Sequence, residues 1–565
     1  MLTIKSTARL TGRSILMILI AGILGACNTL PSESQPQNIA IENAQAPVSI
    51  ADYGSRIGFK VDEDLGGLAK KKVWYDAAGY IYSSSIQSDT AQYKNYSDNP
   101  IKQVVAEPVS TFSLDMDTAS YANSRRFISA GRMPHPDAVR VEEFINYFPE
   151  ASNEKLMPLS DSPFAATYEL APSPWNADKV LLRVNIKANE VALDQLPPSN
   201  LVFLIDTSGS MYGPDRLDLL KQSLKLLVNK LRPVDKVSIV TYAGKAGVAL
   251  EPTSGRNKAK ILAAIDKFEA GGSTAGGEGL KMAYKLAESS QINGGINRIL
   301  LATDGDFNVG INSTEELKAF VTAEKEKGIT LSTLGFGDDN LNDAMMVQIA
   351  DAGNGNYSYI DSLKEAQKVL QQEMSATLVT VAKDAKAQIE FNPQQVLEYR
   401  QIGYEKRQLK QEDFNNDKVD AGDIGAGKKV TILYELTLAN GRPSIDPLRY
   451  QVNKTTVPIT SKSDEIAFLK LRWKAPQDKK SKLVSLPIKK KALVSSFEQA
   501  GIETRFIAAV AAYGQKLRHN PELSQTSYQQ IISWANHAKG KDPQGYRSEF
   551  VQLVKKTATL EDKKK

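Results

Sequence analysis

The stretch Leu201-Val-Phe-Leu-Ile-Asp206-Thr-Ser208-Gly-Ser210 decides the fold class of this chain. Its five consecutive apolar residues are typical of a strand that is buried on both faces of a sheet. The run ends in a carboxylate that is followed by two hydroxyls at alternating positions. In an open α/β sheet, ligands bind in the crevice outside the carboxyl ends of the strands. Asp206, Ser208 and Ser210 are therefore predicted to form the first loop of a metal site.

Strand and helix patterns alternate from residue 199 to residue 380, on both sides of this stretch. Such alternation predicts an α/β domain with a doubly wound, mainly parallel sheet and helices on both faces. Strand patterns of a different kind, with alternating apolar residues, lie before residue 197 and after residue 385. We expect the α/β domain to be inserted in, or flanked by, a β-sandwich, with a small helical part at the C-terminal end.

The predicted domain organisation has six segments, and its boundaries follow changes in pattern and composition. They are a signal peptide at 1–26, a tether and poorly defined N-terminal segment at 27–104, a module of helices and strands at 105–198, the α/β domain at 199–380, a β-rich domain at 381–480, and a helical C-terminal region with a charged tail at 481–565.

Two further segments complete the pattern of the opening stretch. Gly271-Gly-Ser-Thr274 lies between two helical patterns, and Leu300-Leu-Ala-Thr-Asp304-Gly305 is a second apolar strand that ends in a carboxylate. Together with the opening stretch, they resemble the metal-ion-dependent adhesion site of a von Willebrand factor type A (VWA) domain. The resemblance implies one divalent cation, Mg²⁺ or alternatively Mn²⁺ or Ca²⁺, with the following ligands, some of them through water: Asp206, Ser208, Ser210, Thr274 and Asp304.

In the VWA family, a carboxylate from a partner protein completes the coordination of the metal. The residue chemistry agrees with this, because hard divalent cations prefer oxygen ligands and only two of the five predicted ligands are carboxylates. A third carboxylate from outside the chain would therefore bind well. The sequence implies a protein partner that supplies an acidic side chain to the metal.

The resemblance extends beyond the α/β domain. Ser113–Phe127 and Arg140–Phe148 are similar to the N-terminal module of bacterial YfbK-type lipoproteins, and Asp420–Gly427, Tyr434–Leu436 and Phe506–Arg518 resemble their C-terminal region. The similarity covers about residues 105 to 540. It implies the same modular architecture for this chain.

The first 26 residues have the features of a bacterial signal peptide. Three basic residues precede an apolar run, Ile15–Ala26, which is too short to span a bilayer comfortably. The run ends in Leu24-Gly-Ala-Cys27, which resembles the lipobox of bacterial lipoproteins, and Cys27 is the only cysteine in the chain. We expect Cys27 to be lipidated and to anchor the protein to a membrane of the cell envelope. By similarity to known sorting rules, Asn28 favours the outer membrane, facing the periplasm or the cell surface.

Composition and motifs exclude several other classes of function. Removal of the signal peptide lowers the formal net charge from +5 to +2. A net positive charge this small does not indicate nucleic-acid binding. Gly422–Lys429 matches the first seven positions of a phosphate-binding loop, but Lys429 replaces the required Ser or Thr and a strand pattern follows. We therefore expect no small-molecule cofactor.

The residues near the predicted metal loops favour capture over catalysis. None of the three histidines, His135, His519 and His537, is close to the metal loops in sequence, so a general base is lacking. The sequence thus predicts a non-enzymatic protein that binds a partner through a metal. The alternatives are a structural envelope component whose ion only holds loops together, and a metal-dependent hydrolase.

Overall fold

The computed structural model describes most of the chain beyond residue 90 and three short strands before it. The described residues are 60–63, 71–75, 81–85, 91–273, 276–305, 314–337, 341–373, 378–446 and 464–563. The chain divides into two units, Met1–Ile86 and Gln87–Lys565. The predicted signal peptide and Cys27 lie outside the described residues.

The first unit contains a small antiparallel sheet that the sequence patterns did not predict. Its strands pair in the order β1-β2-β3. They are β1 (Lys60–Glu63), β2 (Lys71–Tyr75) and β3 (Ile81–Ser85).

The second unit begins with the strands and helices that precede the α/β domain. These are β4 (Lys102–Gln103), β5 (Val109–Ser113), α1 (Ala119–Ser129), α2 (Val141–Ile145), β6 (Met157–Pro158), β7 (Phe164–Pro172) and β8 (Val180–Ala188).

The α/β domain follows, with strands and helices in alternation. Its elements are β9 (Ser199–Asp206), α3 (Leu217–Lys230), β10 (Lys236–Tyr242), β11 (Ala246–Ser254), α4 (Lys258–Asp266), α5 (Gly276–Ser289), β12 (Ile296–Thr303), α6 (Thr314–Glu326), β13 (Thr330–Gly335), α7 (Asp343–Ala352), β14 (Tyr357–Tyr359) and α8 (Leu363–Gln367).

The sheet of this domain has the strand order β11-β10-β9-β12-β13-β14. All neighbours are parallel except β10 and β11, which form an antiparallel edge. The strand β9 is central in this order, and side chains on both of its faces are buried. Leu201, Phe203 and Ile205 pack in one core with α3 and α4, whereas Val202 and Leu204 pack in another with α5 and α6. The predicted doubly wound, mainly parallel sheet is confirmed.

After the α/β domain, the chain returns to strands and ends in helices. The elements are β15 (Thr380–Phe391), β16 (Val396–Ile402), β17 (Ile424–Gly425), β18 (Lys429–Leu438), β19 (Glu465–Lys474), β20 (Lys482–Lys489), α9 (Ile502–Leu517), α10 (Tyr528–His537) and α11 (Tyr546–Asp562).

Strands from both sides of the α/β domain pair in two antiparallel sheets. One sheet has the order β17-β15-β19-β20, with β5 also paired to β15, and the other has the order β4-β16-β18-β8-β7-β6. The two sheets share one core, in which Val184 and Tyr434 of one sheet lie with Ile389 and Leu469 of the other. The α/β domain is therefore inserted in a β-sandwich, as predicted from the flanking strand patterns.

Helices α1, α2, α9, α10 and α11 form a further core, rich in aromatic side chains such as Tyr121, Phe144 and Phe506. Buried ion pairs join this helical part to the α/β domain. Arg140 Nη1 lies 2.7 Å from Asp343 Oδ2, and Arg125 Nη2 lies 2.8 Å from Glu365 Oε2. Among the described residues, no helix combines the length and apolar character needed to cross a bilayer.

Candidate metal centre

Asp206, the last residue of the central strand β9, is fully buried. Its carboxylate accepts two hydrogen bonds from neutral donors. The backbone N–H of Ser208 donates to Oδ1 at 2.9 Å, and the hydroxyl of Thr303 donates to Oδ2 at 2.8 Å. Thr303 is the last residue of β12, which is parallel to β9 and adjacent to it. The two strand ends therefore hold this carboxylate in a fixed position.

No Lys or Arg lies within ion-pair distance of Asp206 in the part of the chain that the structure describes. Burial raises the pKa of Asp206 to about 6, and the hydrogen bonds from Ser208 and Thr303 only partly oppose this effect. The nearby charge of Asp304 raises the pKa of Asp206 further. A buried carboxylate without a cationic partner is electrostatically unfavourable, so a bound cation at this position would stabilise it.

Two serine hydroxyls follow Asp206 on a short 3-10 turn, Gly209–Met211. Ser208 is buried and Ser210 is half-buried, and their Oγ atoms lie 3.0 Å apart. Two oxygens at this separation can occupy adjacent positions around one small cation, since Mg²⁺–oxygen distances are about 2.0 to 2.1 Å.

The second predicted loop is attached to the first by backbone hydrogen bonds. Gly209 N–H donates to the carbonyl of Gly272 at 3.0 Å, and Gly271 N–H donates to the carbonyl of Thr207 at 2.9 Å. Gly272 has a φ of 83°, a left-handed conformation that favours glycine at this turn. Thr274 lies outside the described residues.

The third predicted loop follows β12. The register of the two parallel strands places Ala302 opposite Ile205, so that Asp304 leaves the sheet beside Asp206. Asp304 is buried, and Gly305 N–H donates to the hydroxyl of Thr303 at 3.2 Å. The structure thus brings Asp206 and Asp304 to one edge of the sheet.

The donor set fits a hard divalent cation. Asp206, Ser208, Ser210 and Asp304 provide only oxygen donors, including two carboxylates, at the carboxyl ends of two adjacent central strands. Asp206 and Asp304 would supply the negative charge, and the two serines would supply neutral hydroxyls. We name the edge formed by residues 206–210, 271–273 and 304–305 the metal-loop edge.

An exposed aromatic side chain lies next to the metal-loop edge. Tyr212 follows the 3-10 turn, and 81% of its surface is exposed. Large apolar or aromatic residues with this degree of exposure are common anchors in protein interfaces. The sequence analysis did not single out Tyr212.

A second group of acidic residues lies elsewhere in the structure, and the sequence did not predict it. Carboxylate oxygens of Asp115, Asp117 and Asp351 lie within 4.8 Å of one another. Two basic side chains lie next to these carboxylates. Arg407 Nη2 is 2.9 Å from Asp117, and Lys406 Nζ is 3.3 Å from Asp351. Arg407 also contacts Asp115. These carboxylates therefore already have positive partners, unlike Asp206.

The central strand order and the metal-loop edge define the class of protein, which is a VWA-domain protein. The family model described as "von Willebrand factor type A domain" matches residues 200–373, and the model described as "von Willebrand factor" matches residues 87–183. Domains of the VWA type often bind a divalent metal and mediate protein interactions.

More specifically, the chain belongs to the YfbK family. It is 57% identical over 469 residues to "Uncharacterized protein YfbK" of Escherichia coli strain K12, which covers 82% of this chain and 80% of the relative. The model described as "Uncharacterized protein YfbK, C-terminal" matches residues 376–560. A more distant relative is "Uncharacterized protein sll0103" of Synechocystis, which is 32% identical over 34% of this chain and 44% of its own length.

Two solved structures are also similar to parts of this chain. The protein "von Willebrand factor type A from Catenulispora acidiphila" has a TM-score of 0.39 and 15% identity over 71% of this chain and 92% of its own. The hypothetical protein BatB from Bacteroides thetaiotaomicron has a TM-score of 0.27 and 26% identity over 32% of this chain and 97% of its own.

We expect Asp206→Asn to abolish the stabilisation of the protein by Mg²⁺ without destabilising the metal-free protein. The amide keeps the shape of the side chain but removes the buried negative charge. At a Mg²⁺ concentration of 100 times Kd, binding should stabilise the wild type by about 2.7 kcal/mol. Thermal unfolding in EDTA and in excess Mg²⁺ measures both effects.

The matched control for this variant is Asp218→Asn, at an exposed position on α3. This control should keep the full response to Mg²⁺. The metal assignment is wrong if Asp206→Asn retains the rise in unfolding temperature that Mg²⁺ produces in the wild type.

Proposed function

We propose that this protein is a cell-envelope lipoprotein whose VWA domain binds one divalent cation and captures a protein partner through an acidic side chain of that partner. The observation that carries the proposal is the buried carboxylate of Asp206, which has no basic partner among the described residues. It lies beside the hydroxyls of Ser208 and Ser210 and the carboxylate of Asp304. This arrangement is suited to a cation that keeps a coordination position open to the outside.

The number of ligands supports an external carboxylate. Mg²⁺ takes about six oxygen ligands, and the five predicted residues supply at most five. The remaining position would hold water in the free protein and a carboxylate of the partner in the complex. Three of the five ligands are neutral hydroxyls, so the ion would retain a strong attraction for an incoming anion.

Tyr212 provides a second contact for the same partner. Its exposed ring is adjacent in the chain to the turn that carries Ser210. An aromatic residue at this position can cover the metal–carboxylate contact and exclude water from it. A partner segment with an acidic residue beside an apolar one fits this surface.

A purely structural role for the metal is less well supported. The backbone hydrogen bonds from Gly209 to Gly272 and from Gly271 to Thr207 already join the first two loops. These bonds involve only protein atoms, so the loops do not depend on a cation to stay together.

For metal-dependent hydrolysis, the described residues near the site offer no general base apart from the carboxylates themselves. The three histidines, His135, His519 and His537, are all exposed and lie outside residues 199–380. Among the described residues of the metal-loop edge, the titratable groups are the two carboxylates that would bind the ion. Partner capture therefore needs only the metal ligands, whereas hydrolysis also needs a general base.

The proposed membrane attachment is a lipid at Cys27. Replacing Cys27 by Ser should move the protein from the membrane pellet to the soluble fraction of the envelope, because the thiol is the site of acylation. Fractionation followed by immunodetection measures the shift. A Cys27→Ser protein that stays in the membrane pellet as completely as the wild type would contradict lipid anchoring.

Partner capture is tested by cross-linking in envelope fractions, with Mg²⁺ or with EDTA. The partners bound by the wild type in Mg²⁺ should disappear in EDTA and in Asp206→Asn. Tyr212→Ser should retain Mg²⁺ binding but recover less of the same partners, about tenfold less if the ring contributes 1.4 kcal/mol. Asp218→Asn serves as the control and should behave as the wild type.

Two outcomes would overturn the proposal. Recovery of the same partners from all of these samples would show that binding does not use the metal. Loss of partners in EDTA together with full retention in Asp206→Asn would place the responsible metal elsewhere.

A further inference from the structure

Arg298 differs from the other buried arginines of the described chain. The others each lie within ion-pair distance of a carboxylate. These pairs are Arg125 with Asp361, Arg140 with Asp343, Arg183 with Glu154, Arg400 with Glu435, Arg407 with Asp117 and Arg547 with Glu503. Arg298 is 3% exposed and has no carboxylate within ion-pair distance among the described residues. A buried guanidinium without a counter-charge is unfavourable unless a ligand supplies one.

Among the described residues, the guanidinium of Arg298 makes one side-chain hydrogen bond. Nη1 donates to the hydroxyl of Ser332 at 2.7 Å, whereas Nε has no hydrogen-bond partner among the described residues. Nε is also buried from solvent, so a ligand carboxylate can reach the guanidinium only at its Nη atoms, of which Nη2 makes no hydrogen bond among the described residues.

Arg298 lines a cavity of about 210 Å³ between the α/β domain and the β-sandwich. Asn354 and Asn356 of the α/β domain line the same cavity, as do Gly422 and Asp423, which directly precede β17. Gly422 and Asp423 are the first residues of the Gly422–Lys429 segment, which the sequence does not support as a phosphate-binding loop. The volume is below the roughly 300 to 1,000 Å³ of pockets for drug-sized ligands, so it suits a small molecule.

Asp423 is the group that offers a second contact in this cavity. Among the described residues, its carboxylate accepts hydrogen bonds from the Asn354 side chain at 3.2 Å and from the backbone N–H of Asp384 at 3.3 Å. It lies beyond ion-pair distance of Arg298. Burial raises the pKa of Asp423 to about 7, which agrees with a carboxyl group that lacks a basic partner.

The remaining charged groups that line the cavity are paired with each other or with neighbours. Arg407 contacts Asp115, Lys406 Nζ lies 3.3 Å from Asp351, and Asp420 accepts from Lys325 Nζ at 3.0 Å. Acidic groups outnumber basic ones in the lining, which disfavours a ligand with two negative charges. Arg298 and Asp423 are thus the two charged groups of the lining that have no ion-pair partner among the described residues, and the charge of Asp423 acts on the pKa of Arg298 only from beyond ion-pair distance.

We propose that this cavity binds a small carboxylic acid that also carries an amino or hydroxyl group. The ligand carboxylate accepts a charge-assisted hydrogen bond from Nη2 of Arg298, and its amino or hydroxyl group donates to Asp423. The Asn354 side chain and the Gly422 backbone lie in the same lining and enclose the small ligand.

This site is separate from the candidate metal centre. Arg298 lies near the beginning of β12, whereas Asp304 follows its end, and six residues of strand span about 20 Å. Binding in the cavity is therefore independent of whether a metal occupies the other end of the sheet.

Isothermal titration calorimetry on the full-length, detergent-solubilised protein tests the proposal. The probes are glycine, glycolate, acetate and inorganic phosphate. We expect glycine or glycolate to bind, acetate to bind more weakly, and phosphate not to bind. Arg298→Met should weaken binding of the preferred acid by about tenfold or more, because it removes the positive charge and its charge-assisted hydrogen bond to the ligand. Asp423→Asn should reduce the preference over acetate.

Arg256→Met is the matched control, since Arg256 is exposed on the α/β domain, and it should bind as the wild type does. Thermal unfolding without ligand separates misfolding from lost binding, because Arg298→Met removes an uncompensated buried charge and should unfold at no lower temperature than the wild type. The proposal is wrong if the wild type binds neither glycine nor glycolate, if phosphate or acetate binds as tightly as they do, or if Arg298→Met binds them unchanged.

Discussion

The buried carboxylate of Asp206 is the constraint on which the site depends. A charged side chain that is removed from water is penalised by several kcal/mol unless other groups compensate it. Here, neutral donors from Ser208 and Thr303 hold the carboxylate in place but supply no positive charge. The hydrogen bond from Thr303 also joins β9 to β12, so the fold fixes the position of Asp206 relative to Asp304. A divalent cation would offset both charges at once.

The contacts that anchor the α/β domain and the residues of the metal-loop edge lie on different strands of the sheet. Buried ion pairs anchor the domain through Asp343 and Glu365, which follow β13 and β14 in the chain. The metal-loop edge belongs instead to β9 and β12, in the middle of the sheet. Strands β5 and β8 from before the domain pair with β15 and β18 from after it, so the sandwich closes around the point of insertion. The segments before and after the inserted domain are thereby joined to each other where the domain begins and ends.

The sequence predicted those parts of the structure that depend on local pattern. The apolar run Leu201–Ile205 and the alternating strands on either side were sufficient for the doubly wound sheet and for its insertion in a sandwich. The β1–β3 sheet was missed because its strands mix Lys, Ser and Tyr without an apolar period. The Asp115–Asp117–Asp351 group was missed because Arg407 and Lys406 reach it from almost 300 residues away in sequence. A charged residue inside the apolar strand Ile296–Thr303 was the one available signal for Arg298.

The most direct measurement is the position of a divalent cation in crystals of the protein grown with Mn²⁺, located by anomalous scattering. A cation at the proposed centre gives an anomalous peak at roughly 2.0 to 2.3 Å from the Oγ atoms of Ser208 and Ser210. The carboxylates of Asp206 and Asp304 then bind the same cation, either directly or through one bridging water molecule. The absence of that peak in Mn²⁺-saturated crystals, or a peak only at Asp115, Asp117 and Asp351, would contradict a metal centre at Asp206.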